Sequence, residues 1–310
     1  MGTRAMGVLL VAEEAAGAHV LRLLAQRGQR VAGVLSATDP ERAGTVGAIA
    51  REHGIPLLDP AKVRDPAFAE WIRAQGVELL LNVHSLLIAD AAVLAAPRIG
   101  SFNVHPGPLP RYAGLNAPSW AIAEGETRHA VTVHWMTAEV DAGAIAYEAW
   151  FEVGPADTGL RVATACARQA IPLVGALLDD AVAESIPARP QEREGRRWFG
   201  REVPHDGQLP WQLGAQRVVD LVRAADYAPF PSPWGAFVTR VGEEQVEIVR
   251  TSRTGEPSDA PPGTIGPARE GGVPVSAGDE WVLVERARRG GETVAPGVAL
   301  PAGDACALVN

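Results

Sequence analysis

The stretch VELLLNVHSLLIADAAVLAAPRIGSFNVH, residues 77–105, decides the fold. Its two apolar runs, 77–83 and 99–104, have the length and continuity of strands buried on both faces. Upstream, apolar strands at 8–12, 31–35 and 55–58 alternate with helical patterns at 19–26, 44–53 and 66–75, which end at Gly28, Gly54 and Gly76. Strand–helix alternation of this kind predicts an α/β domain, a mostly parallel sheet with helices on both faces. Ligands of such sheets bind beyond the carboxyl ends of the strands. Asn103 and His105 stand at one such end.

Downstream, 117–124 reads as a helix, 130–136 alternates as a strand and 144–152 is its neighbour. Asp157 and Thr158 open a long helix over 160–183 with a broad apolar face. Composition changes after Ser185. The run at 189–208 mixes Pro, Gly and charge and reads as a linker, with Arg193, Arg196, Arg197 and Arg201 as a solvated basic strip. A helix at 213–225 follows, then short strands at 237–241, 245–250, 263–265, 273–276 and 281–286, the pattern of a small barrel or sandwich. The expected organisation is therefore a catalytic domain over 1–188, a linker over 189–208 and a smaller β domain over 209–310.

With 310 residues and 47% hydrophobic content the chain can bury a sizeable core. A net charge of −9 argues against a nucleic-acid backbone as partner. Cys166 and Cys306 are far apart and fit no metal spacing, a usage expected of the reducing cytoplasm. The apolar run at 8–12, followed by Glu13 and Glu14, is too short for a signal peptide, and no run approaches the roughly 20 apolar residues of a membrane span. A P-loop, a glycine fingerprint, a nucleophile elbow and a zinc-protease motif are all missing. His129 and His134 are spaced poorly for a metal pair, so no metal is expected.

The chemistry concentrates in residues 101–143. Asn103-Val104-His105 ends a strand and enters a turn stiffened by Pro106, Gly107, Pro108 and Pro110. Asp141 alone would be a turn residue before Gly143, but the strand before it can return it toward His105. A carboxamide, an imidazole and a carboxylate together can bind an oxyanion and move protons. Asn82-Val83-His84 echoes the first triplet, and the apolar Leu86, Leu87 and Ile88 after it suit the wall of a flat aromatic ligand.

The segments NVHPGPLPRYAG at 103–114, GE at 125–126, VTVH at 131–134 and DAG at 141–143 resemble the 10-formyltetrahydrofolate-dependent formyltransferases. The likeness is strong over about 75–183, plausible from residue 7, and weaker in the C-terminal part through TRVGEEQVEIVR and APPGTI. It implies a Rossmann-like catalytic domain with an appended OB-like barrel, and it makes Asn103, His105 and Asp141 the catalytic trio. It also implies 10-formyltetrahydrofolate as co-substrate, with no metal. Its pterin would lie between His84, Ser85, Leu86, Leu87 and Ile88 on one side and Thr137, Ala138, Glu139 and Val140 on the other.

The segment GPLPRYAGLNAPSWAI is similar to the branch that formylates amino-acid amines in nonribosomal-peptide and siderophore pathways. The expected acceptor is thus an amino acid-type amine or hydroxylamine, free or on a carrier protein, with Asn116 and Trp120 on the acceptor side. An amino sugar nucleotide is the next reading and methionyl-tRNA the third. Ala113, where many relatives carry arginine, counts against tRNA. A folate-binding or carrier-docking module without catalysis is the alternative of another class. No membrane partner is expected, and oligomeric state stays open.

Overall fold

The computed structural model describes residues 4–308. The chain forms two compact units. The first holds the described chain through Gly114 together with His129–Phe151 and Ala163–Trp198. The second holds Leu115–Arg128, Glu152–Val162 and the described chain from Phe199.

The first unit is built on a seven-stranded sheet. Its strands are β1 (Gly7–Ala12), β2 (Arg30–Leu35), β3 (Leu57–Leu58), β4 (Leu79–Val83), β5 (Gly100–His105), β7 (Arg128–Trp135) and β8 (Ile145–Glu152), with β6 (Ala113–Gly114) lying apart from it. Their order is β3-β2-β1-β4-β5-β7-β8. The β1–β2, β1–β4, β2–β3 and β4–β5 pairs are parallel, whereas β7 runs antiparallel to β5.

Alternation explains why the strands read as continuous apolar runs. Successive side chains point to opposite faces, and here both faces are covered. Val8, Leu10, Leu79 and Leu81 belong to one core with Leu21 and Leu24 of α1 (Glu14–Gln26) and with Cys166, Ala170 and Leu177 of α6 (Gly159–Val182). Leu9, Val11 and Leu80 belong to another with Phe68 and Ile72 of α3 (Phe68–Ala74) and Val93 of α4 (Ala91–Leu94). α2 (Val46–Glu52) completes the first core, through Val46 and Ile49. Each fully buried Leu or Ile contributes about 1.5–3 kcal/mol relative to exposure. α6 is long and apolar enough to cross a membrane by length and composition, yet its Cys166, Ala170 and Leu177 are fully buried, as in a core helix.

In the first unit two local expectations change. α1 begins at Glu14, five residues before the apolar periodicity becomes visible, because the small Ala16, Gly17 and Ala18 are buried at its start. Residues 189–197, read as solvated linker, are pinned. Ile145 and Arg189 exchange backbone hydrogen bonds at 2.8 and 2.9 Å, and the Arg197 carbonyl accepts from the Ala113 N–H at 3.1 Å.

The second unit holds α5 (Ala117–Ala123), α7 (Ala215–Ala224), α8 (Pro296–Ala299) and a curled antiparallel sheet; β9 (Trp198–Phe199) precedes it. The sheet comprises β10 (Phe237–Val241), β11 (Glu244–Pro257), β12 (Val273–Ser276), β13 (Glu280–Arg289), β14 (Glu292–Val294) and β15 (Cys306–Ala307). Their order is β12-β13-β11-β10-β15, with β14 on β13. Register shifts in the β11–β13 ladder bend these long strands, giving the expected barrel as a half-barrel. β11 outruns its predicted end at residue 250 because Glu280 of β13 accepts from the Gly255 N–H at 2.6 Å and pairs with Arg253 at 2.6 Å.

Candidate active site

β5 ends on Asn103 and His105, two residues apart and therefore on one face. Opposite Asn103 in the antiparallel register stands His134 of β7. After β7 the chain turns back through 137–143. Gly143 makes that return possible, since a Cβ there would lie 1.8 Å from the Trp135 carbonyl oxygen. Asp141 adopts a left-handed backbone, φ 54°, and its carboxylate meets the end of β5.

The contacts form one connected cluster. The Asn103 amide nitrogen donates to Asp141 Oδ1 at 3.2 Å and lies 3.1 Å from His134 Nε2. His134 Nδ1 is 2.8 Å from the Trp135 carbonyl. A carbonyl requires a donor, so Nδ1 carries the proton and Nε2 accepts from Asn103. His105 Nδ1 faces Asp141 Oδ2 at 3.6 Å, and His105 Nε2 donates to the Tyr112 carbonyl at 2.6 Å. Asp141 Oδ2 also accepts from the Gly114 N–H at 2.9 Å. His105 and Asp141 are 3% and 5% exposed, while Asn103 is only partly buried. Asn103 is thus the member of the trio that meets solvent.

Burial would by itself raise the Asp141 carboxyl, but His105, His134 and the Gly114 N–H outweigh it and hold the group well below the usual carboxylate range. Burial pushes the His105 imidazole down, against the opposing pull of Asp141 and of the Tyr112 carbonyl. Asp141 therefore pulls the imidazole up, and burial reverses the net direction.

The arrangement can bind an oxyanion and move a proton, and two family patterns cover most of the chain. Residues 7–173 match the formyl transferase pattern, and residues 203–303 match the formyl transferase C-terminal domain. This chain belongs to the formyl transferase family. It is 31% identical to a methionyl-tRNA formyltransferase of Sorangium cellulosum (strain So ce56) over 80% of its own length and 78% of that protein's. Its fold resembles the N-formyltransferase of Helicobacter canadensis, solved with folinic acid and dTDP-3-aminofucose (TM-score 0.70, 13% identity, 91% of this chain and 99% of that one). It also resembles HypX of Aquifex aeolicus, solved with tetrahydrofolic acid (TM-score 0.65, 17% identity, 96% of this chain and 47% of that one).

Other residues of this formyltransferase singled out from sequence fall as follows. His84 has a left-handed backbone, φ 53°, and its Nδ1 is 3.8 Å from Glu14. Ser85 turns the loop by accepting from the Leu87 N–H at 3.3 Å. Leu86 and Ile88 are 74% and 63% exposed, whereas Leu87 packs against a core. Across the 137–140 loop, the Thr137 hydroxyl donates to the Glu139 carbonyl, Ala138 is exposed and Val140 is 38% exposed. Asn116 and Trp120 belong to the second unit. Asn116 precedes α5 with a left-handed backbone and makes no side-chain cap, and Trp120 stacks on Phe199 and meets Trp234 edge-on. Among the described residues no cluster of three or more His, Cys, Asp or Glu is placed to hold a metal.

Sequence reasoning missed three residues at the cluster. His134 was weighed only as a metal ligand, and its role follows from register alone. Gln191 and Arg196 were assigned to a solvated linker. Gln191 Nε2 donates to the carbonyls of Asp141 and Gly143 at 3.0 and 2.7 Å. Arg196 donates to the carbonyls of Asp141 and Val140 at 3.1 and 2.8 Å. Arg193, whose side chain is 91% exposed, and the exposed Arg201 keep the solvated character expected of the strip.

Proposed function

We propose that this formyltransferase moves the formyl group of 10-formyltetrahydrofolate to a primary amine or hydroxylamine nitrogen of an amino acid-type metabolite, free or carrier-bound. The observation that carries the reading is the convergence of Asn103, His105 and Asp141 beside the carboxyl end of β5, with Asn103 hydrogen-bonded to Asp141 and His105 Nδ1 3.6 Å from its carboxylate.

The acceptor nitrogen attacks the formyl carbon. A new N–C bond forms and the carbonyl π pair moves to oxygen. Asn103, the accessible member, supplies an amide to the oxyanion as its hydrogen bond to His134 is released. His105, once protonated, adds positive charge near the oxyanion while its N–H groups stay on the Tyr112 carbonyl and Asp141. Asp141 lies between them and orients both. The proton lost by the amine passes through the His105–Asp141 pair. The tetrahedral centre then collapses, the bond to the folate nitrogen breaks, and that nitrogen takes a proton, giving a formamide and tetrahydrofolate.

The residues present fit a folate. Leu86, Ile88 and Val140 expose apolar surface on the two loops expected to flank the pterin. Near the end of β4, Asn82 Oδ1 and His84 Nε2 are buried without a hydrogen-bond partner. A flat heterocycle carrying N–H and carbonyl groups would cover the former and satisfy the latter. The folate would carry the transferable carbon, while the protein supplies orientation and donors.

For the acceptor, support comes from the motif GPLPRYAGLNAPSWAI and from the net charge of −9, which disfavours a tRNA backbone. The likeness in fold to two sugar N-formyltransferases over 91% and 93% of this chain favours an amino sugar nucleotide as second reading. The free thiols of Cys166 and Cys306 support a reducing, cytoplasmic setting for the reaction. A tetrahydrofolate-release assay against ornithine, N-hydroxyornithine, carrier-bound amino acids, amino sugar nucleotides and methionyl-tRNA tests the proposal. Turnover with an amino-acid amine, lost in His105→Ala, is the expected result. Turnover confined to a sugar nucleotide or tRNA would replace the acceptor, and folate binding without any turnover would favour a non-catalytic module.

A further inference from the structure

Asp141 occupies a backbone conformation that favours glycine, at φ 54°, in a loop closed by Gly143. Its carboxylate nevertheless meets four groups from three separate stretches of chain: Asn103, His105, Gly114 and His134. The base of the loop is closed by the Trp135 N–H, which donates to the Ala144 carbonyl at 2.9 Å. What grips it is the segment after α6, which lies between the two family matches, 7–173 and 203–303.

That grip is made to the backbone. Both amide hydrogens of Gln191 go to carbonyl oxygens, those of Asp141 and Gly143. The Arg196 guanidinium spans the carbonyls of Asp141 and Val140 and stands 3.6 Å from the Glu139 carboxylate. The Asp141 carbonyl thus receives two donors from this one segment. The segment is itself anchored on both sides. Arg189 pairs with Ile145 through two backbone hydrogen bonds and with the Glu148 carboxylate. Arg197 exchanges backbone hydrogen bonds with the 110–113 segment, donating to Pro110 at 3.2 Å and accepting from Ala113 at 3.1 Å. The same 110–114 stretch presents the Tyr112 carbonyl to His105 and the Gly114 N–H to Asp141. One strap therefore fixes the loop that carries the carboxylate and the stretch that supplies its partners.

We propose that Gln191 and Arg196 are positioning residues that set the Asp141 carboxylate against Asn103 and His105, acting through the backbone of 140–143. They touch no reacting atom. The inference rests on the proposed formyl transfer for its kinetic consequence and on the hydrogen bonds for its structural one, so the two are tested separately.

The kinetic arm compares Gln191→Met, Arg196→Met and the double variant in the wild-type and Asp141→Asn backgrounds. We expect kcat to fall about tenfold for each single variant and about a hundredfold for the double, with acceptor KM within about threefold. Arg196→Lys, which still reaches one carbonyl, should recover part of the loss. In the Asp141→Asn background the same substitutions should change kcat by less than about twofold, because their effect runs through the carboxylate. A loss that persists there overturns the proposal in favour of a merely structural strap. The structural arm reads amide hydrogen exchange at Gly114, whose N–H reports the carboxylate directly. Exchange should accelerate about tenfold in the double variant, while the Met136 N–H, bonded to Ser101 at 2.7 Å, stays unchanged. An unchanged Gly114 rate overturns the proposal. If the wild type turns over no acceptor, the functional reading fails alone and Gly114 exchange still decides the positioning.

Discussion

Asn82 stands beside Asn103 in the parallel register of β4 and β5, so two Asn-Val-His segments end at the same edge of the sheet. Their environments differ. Asn103 is hydrogen-bonded into the Asp141 cluster, while Asn82 Oδ1 and His84 Nε2 are buried and unpartnered. In the proposed reaction the adjacent pairs would divide the labour, the β5 pair at the reacting carbon and the β4 pair at the co-substrate. Asn82→Ala and His84→Ala should each weaken tetrahydrofolate binding about two- to tenfold, the worth of one neutral hydrogen bond. Calorimetric Kd values within twofold of wild type for both variants would remove the β4 pair from the pocket.

The trio itself should behave as a transition-state device. Removing the donor in Asn103→Ala should lower kcat by about 10²–10³. His105→Ala should lower it by about 10²–10⁴ through lost proton transfer. Tetrahydrofolate affinity should change only a fewfold in either case. Single-turnover rates paired with thermal melts separate this from misfolding; equal losses in binding and rate would contradict it.

Gly143 in the D-A-G motif is a geometric requirement. A Cβ 1.8 Å from the Trp135 carbonyl cannot be accommodated by moving a flexible side chain, because the obstacle is backbone. Gly143→Ala should therefore displace the Asp141 loop and lower kcat about as far as Asp141→Asn does, while the Met136 N–H remains protected from exchange. Near-wild-type turnover in Gly143→Ala would mean that the loop is looser than the structure has it.

In the second unit, Trp234 is buried at 7% exposure, its ring meets Trp120 and Phe237 edge-on, and its Nε1 has no partner. An unpartnered buried donor is a liability rather than a contribution. Trp234→Phe keeps an aromatic body and removes the donor, so it should shift stability by less than about 1 kcal/mol. Trp234→Ala should lose about 3–5 kcal/mol. Urea midpoints check both, and a large loss in the Phe variant would reveal a partner for the indole.

The fold was legible because parallel strands buried on both faces leave unmistakable apolar runs, as at 77–83, and because glycines such as Gly28, Gly54 and Gly76 end the helices between them. Asn103, His105 and Asp141 were legible through local motifs. His134 was not, because it reaches Asn103 only through the β5–β7 register, which single-strand periodicity does not specify. Gln191 and Arg196 lie 50 and 55 residues from the loop they hold, in a segment whose composition is that of any exposed linker. Their contacts are to backbone carbonyls, which leave no complementary residue type to look for. The reversed net direction for His105 depends on burial, which the polar sequence around Pro106 conceals.

His129 gives the clearest pH signature. Burial lowers its imidazole to about 4, although the hydrogen bond to the Pro106 carbonyl opposes the shift. Around it stand the Pro106 carbonyl at 2.9 Å, the rings of Tyr112 and Phe151 edge-on, and His105, whose charge opposes protonation further. In the unfolded chain the same imidazole titrates near its ordinary value of about 6.5. Between those limits the unfolded state binds more protons than the folded one, so stability rises with pH across the window and is lost as pH falls from about 6.5 toward 4. The loss from this residue should approach about 3 kcal/mol at the acid end. His105, also lowered by burial, adds with the same sign. Asp141 acts in a separate window: its depressed carboxyl contributes stability that begins to disappear only below the ordinary carboxylate value of about 3.9. Urea unfolding in steps between pH 7 and pH 4 should show this decline, with a shallower slope in His129→Gln, which keeps a donor for Pro106 but carries no titrating group. A slope identical to wild type in His129→Gln would assign the acid sensitivity to other groups.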